Sequence, residues 1–265
     1  MQLKGKRTDI RKPGEFMMQY GERKVSAVIL AAGKGTRMKS DLAKVLHPLC
    51  GKPLLTYSVD VARAIGAEKI AVIIGHQADV VREVFKDQGL IFIEQREQLG
   101  TGHAVLQTRD TFCNYDGTIL ILCGDVPLLC PSTATALFEY HITEKAALTV
   151  LTTVLEDPTG YGRIIKGSNT GEVVGIIEEK DASPGEKTIR EINTGIYCVE
   201  SDFLFRAVAE VGNENVQREY YLTDIVGIAW KKGFKTRSFV AVNSFEVMGI
   251  NTPYDLIRAS EHMKA

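Results

Sequence analysis

The sequence is poor in the features that mark several common classes of protein. Its five cysteines, at positions 50, 113, 123, 130 and 198, are odd in number and include no Cys-x-x-Cys pair. A disulfide framework or a zinc knuckle needs paired, closely spaced thiols, so neither is expected, and reduced thiols in the cytoplasm fit better. No apolar run approaches the roughly 20 residues of a membrane-spanning helix, and a soluble chain is expected. An excess of one charge is also missing: 32 basic and 33 acidic residues leave a formal net charge of −1. A dedicated nucleic-acid binder usually carries a net basic footprint, so neither nucleic acid nor membrane is expected as a partner. Small anions stay open as substrates, because they need only a local cluster of positive charge. There is no low-complexity tract and no evident repeat.

What is there is the composition of an ordinary globular protein, 45% apolar and 25% charged. The 265 residues suffice for one large domain or two small ones. Residues 1–24 stand apart. Lys4, Lys6, Arg7, Arg11, Lys12, Arg23 and Lys24 against Asp9, Glu15 and Glu22 leave them at +4, and their apolar residues form no signal-peptide core. They are expected to be a flexible N-terminal extension rather than a functional basic arm.

From Val25 the pattern alternates. Val25 to Ala31 reads as a strand buried on both faces, followed by a helix that Pro53 opens and Gly66 stops. Strands at Ile70–Ile74, Leu90–Ile93 and Ile119–Cys123 alternate with helices at Asp79–Lys86 and Gly102–Arg109. Such alternation implies a mostly parallel sheet with right-handed crossovers. After about residue 145 strand-like pieces at 148–155, 163–165, 173–177 and 196–199 follow one another. Helices at 201–211 and 221–231, a strand at 238–242 and a helix at 253–263 complete the chain. With no linker visible, one domain is expected over 25–265: a nucleotide-binding α/β half (25–145), a mixed half that carries the second substrate (146–250), which the resemblance given below makes the sugar-binding half, and a closing helix (251–265). In such sheets the ligand sits at the carboxyl ends of the parallel strands.

The run from Leu30 through Ala31, Ala32, Gly33, Lys34, Gly35, Thr36 and Arg37 to Met38 follows the first strand, and Lys44 lies six residues on. Small residues let backbone N–H groups close on an anion, and Lys34, Arg37 and Lys44 offer charge to phosphate oxygens. The Walker pattern GxxxxGK[ST] is absent. The dinucleotide pattern GxGxxG fails at Met38, and the second strand ends in Gly75-His76 where a ribose-binding acid would stand. On the glycines alone, a plain surface turn is an equal reading. Taken alone, Asp125 after a buried strand is more commonly a helix or turn cap, Asn251 reads equally well as an N-cap of the last helix, and Gln95 reads as a polar strand end. Tyr161 and Tyr197 read as packing residues, and His47, His76 and His103 as structural.

Taken together these segments resemble the sugar nucleotidyltransferases, in particular the uridylyltransferase domains of bifunctional bacterial N-acetylglucosamine-1-phosphate uridylyltransferases. The resemblance runs from Val25 to about Asn251. Besides the Leu30–Met38 run and Lys44 it rests on Gln95 with Gln98–Ala104, Gly124–Leu128, Asp157–Ile164, Glu178 with Lys180–Ala182, Glu191–Gly195 and Glu219–Asp224. It implies an α/β, Rossmann-like nucleotidyltransferase fold, a mixed but mostly parallel sheet flanked by helices. It also implies a reaction: UTP and N-acetylglucosamine 1-phosphate give UDP-N-acetylglucosamine and pyrophosphate by in-line attack on the α-phosphorus.

By the resemblance, Arg37, Lys44 and Asp125 are catalytic, and Asp125 with Asn251 binds Mg²⁺. Leu30, Ala31, Ala32, Gly33, Lys44, Gln95, Gly100 and Thr101 bind the nucleotide. Cys123, Gly124, Gly162, Glu178, Asn193 and Thr194 form the sugar side, although the residues alone favour Cys123 as a small apolar strand-end residue. The attacking phosphate oxygen is already anionic, so cations and metal ligands, not a general base, are the groups required. Hard oxygen ligands, few in number, suit Mg²⁺. Other readings are a sibling enzyme for another sugar phosphate or nucleotide and a non-catalytic sugar-nucleotide sensor; the latter would be expected to lack Lys44, Asp125 or Asn251.

Three positions depart from the family pattern. Ala43 stands where proline often precedes the lysine, Cys123 where tyrosine often precedes Gly-Asp, and Met248 where glutamate is common. A loop less preorganised before Lys44 is therefore expected. The sequence ends at Ala265 without the hexapeptide repeats of the family's β-helix, so neither acetyl transfer nor the trimer contact made by that β-helix is expected.

Overall fold

The computed structural model describes residues 23–168 and 171–264. The expectation for residues 1–24 therefore lies outside the described residues except at Arg23 and Lys24.

Strand β1 (Val25–Ala31) lies at the centre, parallel to β4 (Ile70–Ile74) on one side and β6 (Thr118–Cys123) on the other. Strand β5 (Ile91–Glu94) extends the sheet beyond β4. On the other flank β10 (Glu191–Glu200) runs antiparallel between β6 and β7 (Leu148–Val154), and β11 (Thr236–Val240) closes the edge parallel to β7. Strands β8 (Arg163–Lys166) and β9 (Val173–Ile177) branch from β10 as an antiparallel ladder. The expected mixed, mostly parallel sheet is what forms. Because β10 alone on the main path runs backwards, its first residues lie at the edge where the parallel strands end. That reversal brings Asn193 to the carboxyl ends of β1 and β6.

The strands alternate between two cores. Ala27, Ile29, Leu120, Leu122, Ile196 and Cys198 face α1 (Leu54–Ala64), α2 (Ala78–Val84) and α4 (Pro131–Glu144). Val28, Ile73, Ile119, Ile121, Tyr197 and Val199 face α3 (Thr101–Leu106), α5 (Ser201–Val208) and α6 (Asp224–Lys231). Burial on both faces is why β1, β4 and β6 read as nearly continuous apolar runs, interrupted only by Ser26 and Thr118. A small third cluster of Leu49, Leu54, Ile250 and Ala259 seats the last helix, α7 (Pro253–His262), against the hairpin β2 (Pro48–Leu49) and β3 (Lys52–Pro53).

Three differences from the sequence reading have physical causes. Helix α4 is absent from the expected elements. Its buried positions 134, 137, 138, 141 and 142 keep helical spacing, but the core-facing residue at 141 is histidine and the first turn is rich in Ser and Thr. Strand β10 begins at Glu191 rather than Ile196, because a bulge between Asn193 and Tyr197, with Gly195 at φ +79°, interrupts the apolar pattern. Helix α6 begins at Asp224 rather than Tyr221, since Tyr220 and Leu222 are tied to the Leu99–Thr101 segment instead. Strand β11 lies two residues earlier than expected.

His141, fully buried, bridges α4 to the sheet, with Nδ1 2.9 Å from the Thr149 hydroxyl and Nε2 3.0 Å from Glu200 Oε1. Thr118 also donates to Glu200, at 3.0 Å. Burial pushes the Glu200 carboxyl up, but the hydrogen bond and charge of His141, helped by Thr118, more than offset it and hold the group below the ordinary glutamate value. A depressed carboxylate stabilises the fold above its unfolded-state pKa and loses that contribution as pH falls through the folded value. Glu200→Gln is therefore expected to cost about 1.5–3 kcal/mol at pH 7 by denaturant unfolding, the worth of a charged hydrogen bond. The gap should narrow at pH 4; an equal gap at both pH values would contradict the assignment.

Candidate active site

The glycine-rich loop leaves β1 directly. Gly35 sits at φ +62° in the left-handed region, and Lys39 at φ +51° closes the short turn Thr36–Met38. Gly35 is required twice over. A Cβ there would lie 2.6 Å from Lys44 Cβ, so the glycine is the surface on which the lysine stem rests. Lys44 opens a second short turn, Lys44–Leu46, and its Nζ reaches the Asp125 carboxylate. The same ammonium donates to Asn251 Oδ1 at 3.1 Å, and Arg37 donates to that oxygen at 2.9 Å.

Four residues from three remote segments thus meet at one point. Gly124 N donates to Leu30 O at 2.9 Å, and a Cβ on Gly124 would approach that oxygen to 3.2 Å, so β6 can end against β1 here. Ile250 N donates to Asp125 O at 2.8 Å, bringing the Gly249–Asn251 segment alongside. Asn251 is not the N-cap of α7. Thr252 is, in a reciprocal capping box with Asp255, whose carboxylate also accepts from Asn251 N at 3.0 Å. The Asn251 carboxamide is oriented by its own bonds: Nδ2 donates to Gly249 O at 3.3 Å, which turns Oδ1 into the site. Nor does Asp125 cap a turn; its carboxylate faces Lys44.

A second group gathers at the end of β4 and β5. Gln95 is buried, and its Nε2 meets Gly100 O at 3.0 Å and His103 Nδ1 at 3.1 Å. The carbonyl fixes this amide's direction, so both N–H groups point inward and Oε1 carries no bond to the described residues. Gly100 has φ +116°, and a Cβ there would lie 2.5 Å from Tyr220 O; Gly102 N donates to that oxygen at 2.7 Å. Thr101 Oγ1 accepts from Leu222 N at 3.0 Å. Of the loop itself, Ala32 O accepts from His76 N at 3.4 Å, while Gly33 is exposed with open space beside it.

The third group lies across β8, β9 and β10. Asn193 N donates to Gly162 O at 2.9 Å, and a Cβ on Gly162 would lie 3.3 Å from Glu178 Oε2. Asn193 Oδ1 accepts from Gly195 N at 3.0 Å and from Tyr197 Oη at 2.9 Å, so its Nδ2 is the free donor. Burial first, then the like charges of Asp181, Asp224 and Glu219, push the Glu178 carboxyl up. Two expected sugar contacts are engaged elsewhere: the Thr194 hydroxyl donates to Leu151 O at 2.7 Å, and Cys123 Sγ donates to Gly195 O at 3.4 Å. Burial pushes the Cys123 thiol up to about 12, so it stays neutral.

Sequence reasoning missed the residues that hold these groups in place. Ser58 donates to Cys123 O at 2.8 Å. His103 and Tyr220 fix the Gln95–Thr101 segment, and Tyr197, expected only to pack, orients Asn193. Arg163, 1% exposed, joins Tyr161 O to Glu179, the residues flanking Gly162 and Glu178. His103, Tyr220 and Arg163 lie in the Gln98–Ala104, Glu219–Asp224 and Asp157–Ile164 runs, whereas nothing in the sequence signals the roles of Ser58 and Tyr197. Gly35→Ala is expected to displace Lys44 and lower kcat by about tenfold or more. Wild-type turnover in that variant would show that the close contact is dispensable.

Comparison with known proteins identifies the family and the fold. Residues 27–168 match the family of MobA-like NTP transferase domains. The bifunctional protein GlmU of Geotalea daltonii is 51% identical over 237 residues, 89% of this chain and 52% of that protein. GlmU of Geobacter metallireducens is 51% identical over 236 residues, 89% and 49% respectively. GlmU of Desulfotalea psychrophila is 46% identical over 243 residues, covering 92% of this chain and 71% of that protein. The chain thus spans about half the length of the first two relatives. A UDP-glucose pyrophosphorylase solved with UDP-glucose shares the fold, with a TM-score of 0.72 at 19% identity over 91% of this chain and 98% of its own. The chain belongs to the MobA-like NTP transferase family and stands there with the GlmU proteins.

Proposed function

We propose that the protein transfers the uridylyl group of UTP to N-acetylglucosamine 1-phosphate, releasing pyrophosphate, in the cytoplasm. The observation that carries this reading is the convergence of Lys44, Arg37, Asp125 and Asn251 beside the glycine-rich loop, at the carboxyl ends of β1 and β6. Two anions must be aligned there against their mutual repulsion. Arg37 and Lys44 supply positive charge at that point, and past the paired end of β1 the backbone of Ala32 and Gly33 offers its N–H groups to phosphate.

Asp125 and Asn251 also fit Mg²⁺. One carboxylate and one carboxamide oxygen both lie against the Lys44 ammonium, so two hard donors already face a single cationic position. Among the described residues no group of three or more His, Cys, Asp or Glu is gathered for a metal. This suits an ion completed by phosphates and water. When bound, the ion would neutralise phosphate charge and favour departure of pyrophosphate. The chain's own groups do the rest. Gln95, with its two N–H groups held inward, presents Oε1 as an acceptor to the uracil N3–H; cytosine has an unprotonated nitrogen there. Asn193 Nδ2 and the Glu178 carboxylate address the sugar, and Gly162 leaves it room.

Pyrophosphate release with Mg²⁺, measured for four nucleoside triphosphates against glucosamine, N-acetylglucosamine, glucose and mannose 1-phosphates, tests the proposal. A maximum at UTP with N-acetylglucosamine 1-phosphate is expected, lost by orders of magnitude in Asp125→Asn with little change in melting temperature. A maximum at another pair would move the specificity to a sibling enzyme. Silence at every pair would overturn catalysis in favour of a binding role.

The raised Glu178 pKa gives a separate expectation. If the carboxylate binds the sugar, the KM for N-acetylglucosamine 1-phosphate rises as pH falls through that raised value, while an ordinary glutamate would still be ionised. Glu178→Gln should remove this dependence relative to wild type. An unchanged profile would take Glu178 out of the sugar site.

A further inference from the structure

The loop that delivers Lys44 is held from outside by one side chain. Gln77 follows β4 and precedes α2, in the left-handed region at φ +52° and ψ +41°. Its backbone is fixed on both sides: Gly75 pairs with it in an isolated bridge, and its carbonyl accepts from Val81 N at 3.1 Å. From that anchor the carboxamide crosses to the lysine loop and makes two bonds. Oε1 accepts from Ala43 N at 2.7 Å and Nε2 donates to Asp41 O at 2.8 Å. The partners are a carbonyl and an N–H, so the amide can face only one way.

The residue it grips is telling. Ala43 is buried, directly precedes Lys44, and has φ −52° and ψ +133°. Those angles lie within the range that a proline ring imposes, but a proline has no N–H to give to Gln77. The chain fixes the same backbone shape by a bidentate hydrogen bond where a ring would fix it covalently. Ser40 Oγ accepts from Leu42 N at 3.1 Å, so the backbone of 41, 42 and 43 is tied at each step before Lys44. Beyond Lys44, Leu46 N donates to Ala43 O at 2.9 Å, closing the turn that aims the ammonium at Asp125 and Asn251.

We propose that Gln77 is a positioning residue for the transfer reaction: its carboxamide clamps the backbone of Asp41 and Ala43 and so sets the place of the Lys44 ammonium. This rests on the reading of Lys44 as catalytic. The clamp touches neither Lys44's side chain nor the nucleobase and sugar groups described above. Its loss should therefore appear in kcat more than in either KM.

Gln77→Gly is the cleanest removal, because glycine adopts a positive φ without strain and only the amide is lost. Turnover should fall by about tenfold, the scale on which small misplacements act, with both KM values within about twofold of wild type. Adding Ala43→Pro to Gln77→Gly should restore most of the lost kcat, since the ring holds φ without the clamp. Gln77→Glu, which keeps the acceptor for Ala43 N–H but cannot donate to Asp41 O, should fall between wild type and Gln77→Gly and serves if the glycine variant does not fold. Wild-type kcat in Gln77→Gly, or in Gln77→Glu where that variant stands in, would overturn the proposal. So would a double variant no faster than Gln77→Gly. Lys44→Ala, assayed in parallel, separates the two levels: if it retains turnover the reading of the site fails, and if it is inactive the Gln77 results judge the clamp alone.

Discussion

The ammonium of Lys44, shared between Asp125 and Asn251, is the contact on which the arrangement turns. Its three members come from the loop after β1, the end of β6 and the approach to α7, and nothing local in the chain brings them together. The sheet does so, by ending β1 and β6 side by side, and the Ile250–Asp125 backbone bond adds the third segment. Both Lys44 and Asp125 are largely shielded from water, at 14% and 21% side-chain exposure, so neither charge is well hydrated without the other. The pairing holds the two side chains together, and the Asn251 oxygen gives the ammonium a second acceptor. Under the proposed function, the charge that balances Asp125 is also the charge offered to phosphate.

Around this point the chain repeatedly settles the direction of an amide by using up one end of it. Asn251 donates to Gly249 O, Asn193 accepts from Gly195 and Tyr197, and Gln95 donates to Gly100 O and His103. Each leaves one polar atom facing the cleft in a fixed sense, so a ligand need not pay to order it. The glycines serve the same end by close approach: Gly35 under Lys44, Gly124 against β1, Gly100 against Tyr220 and Gly162 beside Glu178.

Legibility of these features in the sequence follows their range. Val25–Ala31 and Ile70–Ile74 are legible with their observed bounds because burial leaves a nearly continuous apolar run, and the partly buried Val173–Ile177 is legible because turn residues flank it. Helix α4 is not, because His141 faces the core, satisfied by Thr149 and Glu200 that only folding supplies. The start of β10 is obscured by its bulge. At the site, no spacing joins Asp125 to Asn251; the family resemblance names them, and the structure places them against one ammonium. Gln77 and Tyr197 leave no trace in periodicity or motif, and His103 and Arg163 lie in recognised runs without a legible role, because each acts on another segment's backbone or amide through contacts made only in the fold. Ala43 in place of proline suggests a looser loop before Lys44; its N–H bond to Gln77 shows the loop tied by another means.

The most direct test is a crystal structure with α,β-methylene UTP and N-acetylglucosamine 1-phosphate. The expected result has triphosphate against Leu30–Gly33 and Arg37, uracil N3–H on Gln95 Oε1, the acetamido sugar between Gly162, Glu178 and Asn193, and Lys44 Nζ turned from Asp125 to phosphate. Ligands bound elsewhere, or a Lys44–Asp125 pair left intact with phosphates out of its reach, would contradict the proposed reaction.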